Sequence, residues 1–198
     1  MDILPIRGAA HGANVWDLDL NRTLTSKLMR KLASALYEHR VLIIKNQKLN
    51  KDKYLEFGKW WGNPIPHVLD HMRMPGYPEL LAVGNTEEKD KASEIRNGAA
   101  LWHTDQSYES VPASATMLYS ILVPKQGGQT KLADMTAAYD ALDDGMKHKI
   151  DRLQVAHLYG AGKLLDEEFK ANPLVTKDQT NRIPSCYHPL VMTHPITK

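Results

Sequence analysis

Leu24, Leu28, Leu32, Ala35 and Leu36 recur at the spacing of one helical face, with Thr25 or Ser26 placed to cap the start. The pattern predicts an amphipathic helix over 24–39. Val41-Leu42-Ile43-Ile44 follows at once and fits a short buried strand. A second helix is expected to begin near Asn50 and to set Tyr54, Phe57 and Trp60 or Trp61 on one face, until Gly62-Asn63-Pro64 ends it. Leu80-Leu81-Ala82-Val83 reads as another strand, and the polar, aperiodic stretch 85–98 as a solvated loop. A β-rich block is predicted at 100–108, 115–123 and 129–134, punctuated by Pro112, Pro124 and Gly127-Gly128. Residues 136–152 return to helical spacing, as two short helices broken near Gly145. A strand at 155–159 and a loop at 161–185, with a helical turn near 164–169, complete the pattern. Short helices among strands, with an antiparallel sheet in the second half, predict an α+β, mainly β architecture.

Composition narrows the setting. Hydrophobic residues make up 42% and charged residues 24% of 198 positions, which supports one globular domain over 1–198 rather than a disordered chain. Lys plus Arg total 25 against 23 for Asp plus Glu, so the net charge of +2 gives no electrostatic case for nucleic acid or an anionic membrane as partner. The one cysteine, Cys186, excludes an intramolecular disulfide and fits a reducing compartment. Met1-Asp2-Ile3-Leu4-Pro5 lacks the basic-then-apolar layout of a signal peptide, and no apolar run approaches a membrane span. A cytoplasmic location is therefore expected, with a small molecule as the partner and homo-oligomerisation left open.

Candidate chemistry concentrates at Trp102-His103-Thr104-Asp105. On a strand, residues i and i+2 share a face, so His103 and Asp105 would present an imidazole and a carboxylate side by side. That pair is two-thirds of a 2-His-1-carboxylate triad, the ligand set that leaves open positions on a non-haem Fe(II). Spacing alone favours a hydrogen-bonded surface pair, since a His-x-Asp arises readily by chance in a chain of this composition. Further along, Gly127-Gly128 can supply the positive φ of a tight turn, and Thr130 leaves that turn with a hydroxyl able to bond a small carboxylate. No Gly-rich phosphate loop and no Gly-x-Ser-x-Gly nucleophile elbow is present. Cys186 and His188 are not by themselves an activated pair.

The order of these motifs carries more information than any one of them. Trp102-His103-Thr104-Asp105, Pro112-Ala113, Val123-Pro124, Gly127-Gly128-Gln129-Thr130 and the run 133–142 (Ala-Asp-Met-Thr-Ala-Ala-Tyr-Asp-Ala-Leu) resemble the TauD/TfdA family of Fe(II)- and 2-oxoglutarate-dependent dioxygenases. His188-Pro189-Leu190-Val191 and Thr193-His194-Pro195 are similar to its later half, and the Ala-Asp-Met run leans to the phenoxyacetate branch. The resemblance implies a double-stranded β-helix, or jelly roll, with flanking helices. It implies Fe(II) and O2, with 2-oxoglutarate as co-substrate. It makes His103 and Asp105 catalytic iron ligands, Thr130 a 2-oxoglutarate contact and His67 a substrate contact.

In the family a third iron ligand, a histidine, and a 2-oxoglutarate-binding arginine lie downstream of the Thr-His-Pro stretch, beyond Lys198. None of the remaining histidines is expected to replace that ligand. His148 reads as solvated, His157 as a core residue, His188 and His194 as structural, and His11, His39 and His71 as surface positions. The expectation is a C-terminally incomplete jelly roll with weak or no activity, exposed core and unpaired strand edges. The alternatives are a non-catalytic binding or assembly partner and, with less support, a cupin-type zinc isomerase, in which the Gly127-Gly128 turn would have no role.

Overall fold

The computed structural model describes residues 1–68, 70, 73–83, 102–157 and 185–198. The expectations for 85–98, for 161–185 except Ser185, for the last two residues of the strand at 155–159 and for His71 lie outside these residues. The chain divides into two compact units.

The first unit comprises Met1–Trp60, Met117–Arg152 and Val191–Lys198. β1 (Asp2–Pro5) pairs antiparallel with β2 (Ala13–Trp16), which pairs in parallel with β3 (Leu42–Ile44). A parallel neighbour requires a crossover, and α1 (Ser26–His39) provides it. Alternation along β2 turns Ala13 and Val15 inward, both fully buried. Leu20, Leu24, Met29, Leu32, Ala35 and Phe57 complete the buried apolar set of this unit. The predicted stripe on α1 is therefore displaced slightly, centring on Met29, Leu32 and Ala35 with Leu28 and Leu36 at its margin.

Caps set the helix limits. Thr25 Oγ1 accepts the Leu28 amide at 3.2 Å, and Asn50 Oδ1 accepts that of Lys53 at 2.8 Å to open α2 (Lys51–Lys59). α1 ends at Arg40, whose φ of 67° lets its amide bond Leu36 O at 2.7 Å. Asp134 and Asp143 cap α3 (Met135–Asp140) and α4 (Asp144–Ile150). The break between these two helices thus falls at 141–143, and Gly145 sits inside the first turn of α4 rather than at the break.

The second unit comprises Trp61–Thr116 and Leu153–Leu190. Two antiparallel ribbons are described here: β4 (Arg73–Met74) with β5 (Tyr77–Leu81), and β6 (Gln154–His157) with β7 (Cys186–Pro189). The predicted strand at 80–83 is displaced to Tyr77–Leu81.

The strands predicted across 100–134 are not formed among the described residues. From 113 to 120 the side chains do alternate between partly buried and exposed, as on a pleated strand. No ladder partner accompanies them among the described residues, and a strand is defined by its partner. Within the first unit, tyrosine hydroxyls hold this segment instead. Tyr54 Oη donates to Met117 O at 2.7 Å, and Tyr119 Oη accepts the Leu49 amide at 2.9 Å. Ile121, Leu122 and Val123 stay exposed.

The histidines correct part of the surface assignment. His39 is largely covered, and His11 Nδ1 is buried with no hydrogen-bond partner. His148 is exposed as expected, with Nδ1 donating to Asp144 O at 2.7 Å. Among the described residues, no helix is long and apolar enough to cross a membrane.

Candidate metal centre

His103 and Asp105 lie on irregular chain, not on a strand, yet their side chains meet: Nε2 and Oδ1 are 3.3 Å apart. The chain turns immediately after the carboxylate. Gln106 adopts φ 54°, a left-handed conformation uncommon for a residue with a Cβ, and Glu109 N–H donates to Gln106 O at 3.0 Å. This turn, not strand pleating, holds Asp105 at the end of the segment. The side chains are about half exposed, 52% for His103 and 48% for Asp105.

The second carboxylate oxygen is also engaged. Thr116 Oγ1 donates to Asp105 Oδ2 at 2.9 Å. The chain returns to Asp105 because 106–115 folds back on itself within the second unit. His188, buried on β7, places Nε2 2.9 Å from Glu109 O, and Ser114 Oγ donates to Trp61 O at 3.1 Å. Tyr108 lies in the same turn. Burial raises its hydroxyl pKa, with the Glu109 and Asp105 carboxylates adding to the rise.

The donor set fits a borderline divalent metal. Two cis ligands on bonds of about 2.1 Å stand about 3 Å apart, close to the observed imidazole–carboxylate separation. His103 and Asp105 would hold the metal. Among the described residues no cluster of three His, Cys, Asp or Glu side chains assembles, so the third donor of a triad is not found there.

His67 is partly buried in the second unit, its amide donating to Pro78 O at 3.3 Å. Thr130 belongs to the first unit, exposed, just after a turn in which Gly127 and Gly128 have φ of 76° and 70°. A Cβ on Gly128 would stand 3.0 Å from Pro124 Cγ, so glycine is needed there for backbone and space. A cavity of about 510 Å3 in the first unit is lined by Asp17, Asp19, Arg22 and Lys45 among others, and by none of the predicted site residues.

Cys186 Sγ lies 3.3 Å from His188 Nε2, as residues i and i+2 on one strand face should. The pair is not an activated thiol. A carbonyl oxygen only accepts, so the contact with Glu109 O puts the proton on Nε2, and that nitrogen cannot take one from the thiol. His157, read above as a core residue, is only partly buried and stacks edge-on against His188, ring centroids 5.2 Å apart.

Sequence reasoning missed Thr116 and the His188–Glu109 bond. Both join residues far apart along the chain, and the only local signal is the polar side of the 113–120 alternation, where Ser114 and Thr116 fall.

A fold of helices and small sheets carries an imidazole–carboxylate pair able to contribute two donors to a metal, and comparison with known proteins makes the class of the domain specific. The profile of the "Taurine catabolism dioxygenase TauD, TfdA family" matches residues 2–198, and the chain belongs to this family. It is 28% identical over 194 residues to the alpha-ketoglutarate-dependent 2,4-dichlorophenoxyacetate dioxygenase of Cupriavidus pinatubonensis, covering 92% of this chain and 66% of that protein. It is 30% identical over 171 residues to the (S)-phenoxypropionate/alpha-ketoglutarate-dioxygenase of Sphingobium herbicidovorans, covering 84% of this chain and 58% of that one. The crystal structure of AAD-2 with Mn(II) and N-oxalylglycine superimposes with a TM-score of 0.75 at 27% identity, covering 99% of this chain and 69% of that chain. The chain thus spans roughly three-fifths to two-thirds of the length of these curated relatives.

Proposed function

We propose that the protein works as an Fe(II)- and 2-oxoglutarate-dependent dioxygenase on a small, anionic organic substrate, hydroxylating or cleaving it with release of succinate and CO2. The observation that carries this reading is the contact of His103 Nε2 with Asp105 Oδ1 at a separation suited to one metal. The relatives' named substrates, a phenoxyacetate and a phenoxypropionate, favour an aryloxy carboxylate as the first substrate class to test. The frame proposed is a jelly roll with flanking helices, supported by the likeness to AAD-2.

Bound iron supplies the oxygen chemistry, and this chain's residues supply the rest. His103 must be neutral at Nε2 to offer its lone pair, and Asp105 contributes the negative charge that offsets the cation. The Thr130 hydroxyl is assigned to donate to a carboxylate of 2-oxoglutarate. His67 is assigned to the substrate, where its imidazole can donate to an anionic group.

The test is succinate release from 2-oxoglutarate with a panel of aryloxy carboxylates. His103→Ala and Asp105→Ala should each abolish substrate-stimulated release, and turnover retained in either variant refutes the assignment. The second reading, a non-catalytic binding or assembly partner, is favoured by the two-member donor set among the described residues. It predicts no succinate release and no metal-dependent absorbance from the wild-type chain.

A further inference from the structure

We infer that Thr116 is a positioning residue for the metal-binding carboxylate, holding Asp105 so that it offers one oxygen to the metal rather than two. The inference rests on the reading of His103 and Asp105 as metal ligands. A carboxylate can bind a cation through one oxygen or both, and rotation about its terminal bond exchanges the two. Here the oxygens have different partners. Oδ1 faces His103 Nε2 at 3.3 Å, while Oδ2 accepts the Thr116 hydroxyl at 2.9 Å. A β-branched side chain has few χ1 choices, so the hydroxyl is held toward its acceptor better than a longer polar group would hold it.

The consequence lies in the count of open positions. A 2-oxoacid chelating through two atoms, plus oxygen, needs three sites on a six-coordinate metal. With one further protein donor beside His103 and Asp105, a bidentate Asp105 would remove one of them. Pinning Oδ2 leaves Oδ1 as the single donor and keeps that site free.

Fold stability does not explain the Thr116 bond. Thr116 is exposed and Asp105 half exposed, so water replaces the hydroxyl readily and its removal leaves no cavity. What water cannot replace is the fixed direction of the bond. The backbone carrying Thr116 is itself secured, by Ser114 Oγ on Trp61 O and by His188 Nε2 on Glu109 O.

The experiment is Co(II) titration of the 198-residue chain with 2-oxoglutarate present, read by calorimetry and by the visible Co(II) spectrum, on wild type, Thr116→Val, Thr116→Ser and Asp105→Ala. With 2-oxoglutarate present, whose chelation a two-oxygen Asp105 obstructs, Thr116→Val should bind Co(II) about tenfold more weakly, with an altered spectrum and an unchanged melting curve, and Thr116→Ser should return within about twofold of wild type. Thr116→Val binding as wild type does, while Asp105→Ala has lost binding, rejects the role of Thr116 and leaves the metal centre standing. Equal losses in Thr116→Ser and Thr116→Val also reject it. Wild type that binds no Co(II), or Asp105→Ala that binds as wild type does, removes the metal centre and this inference together. Should Thr116→Val not fold by circular dichroism, Thr116→Ala makes the same comparison.

Discussion

His188 Nε2 donates to the carbonyl oxygen of Glu109 at 2.9 Å, a bond across 79 residues from a buried strand histidine to the turn that follows Asp105. His188 belongs to the His-Pro-Leu-Val stretch whose resemblance marks the family, and its role in this chain is to tie β7 to the loop behind the candidate metal ligand. His188 is only 7% exposed and its ring stacks on His157, so loss of the ring would leave both a gap and an unpaired carbonyl.

His188→Ala should therefore destabilise the second unit by about 2–3 kcal/mol, combining an unsatisfied buried acceptor with lost packing. Urea unfolding followed by circular dichroism measures this. An unchanged midpoint would mean that the bond holds nothing in place.

Tyr54 makes stability fall at alkaline pH. Burial raises its hydroxyl pKa above the ordinary 10.0, and the proton is donated to Met117 O. Because the folded pKa is the higher one, the unfolded chain releases this proton first. The contribution is complete below pH 10.0 and is lost as pH rises through the folded value. Tyr54→Phe should flatten the decline of stability above that pH, at a cost of about 1 kcal/mol at neutrality from the lost hydrogen bond. Equal alkaline slopes in the two proteins would contradict the assignment.

The two caps of the first unit offer a simpler check. Thr25→Ala and Asn50→Ala each strip an acceptor from a first-turn amide, and each should cost about 1 kcal/mol. Serine at either position should restore most of the loss. Thermal melts that do not separate alanine from serine would show that water caps these helices equally well.

These caps also explain how much of the fold was legible. Helix starts are local events: a Thr or Asn side chain reaches an amide three residues on, and the apolar spacing does the rest. α1 and α2 were readable for that reason, and β3 from its β-branched run. The break before α4 falls at 141–143, ahead of the expected position near Gly145, because the Asp143 side chain starts a new helix there. The segment 115–123 has the residues and the alternation of a strand, but strand formation depends on a partner that no local pattern supplies. The His103–Asp105 pair was legible from the order of motifs and not from strand pleating, which is absent there. Thr116 was not legible, since only the folding back of 106–115 brings its hydroxyl to Asp105.

His103 and Asp105 are proposed to hold one divalent iron. Anaerobic titration of the chain with Fe(II) in the presence of 2-oxoglutarate, followed in the visible, tests it most directly. The expected result is a metal-to-ligand charge-transfer band that saturates at one Fe(II) per chain and is lost in both His103→Ala and Asp105→Ala. No band from the wild-type chain, or a band that persists unchanged in either variant, would contradict it.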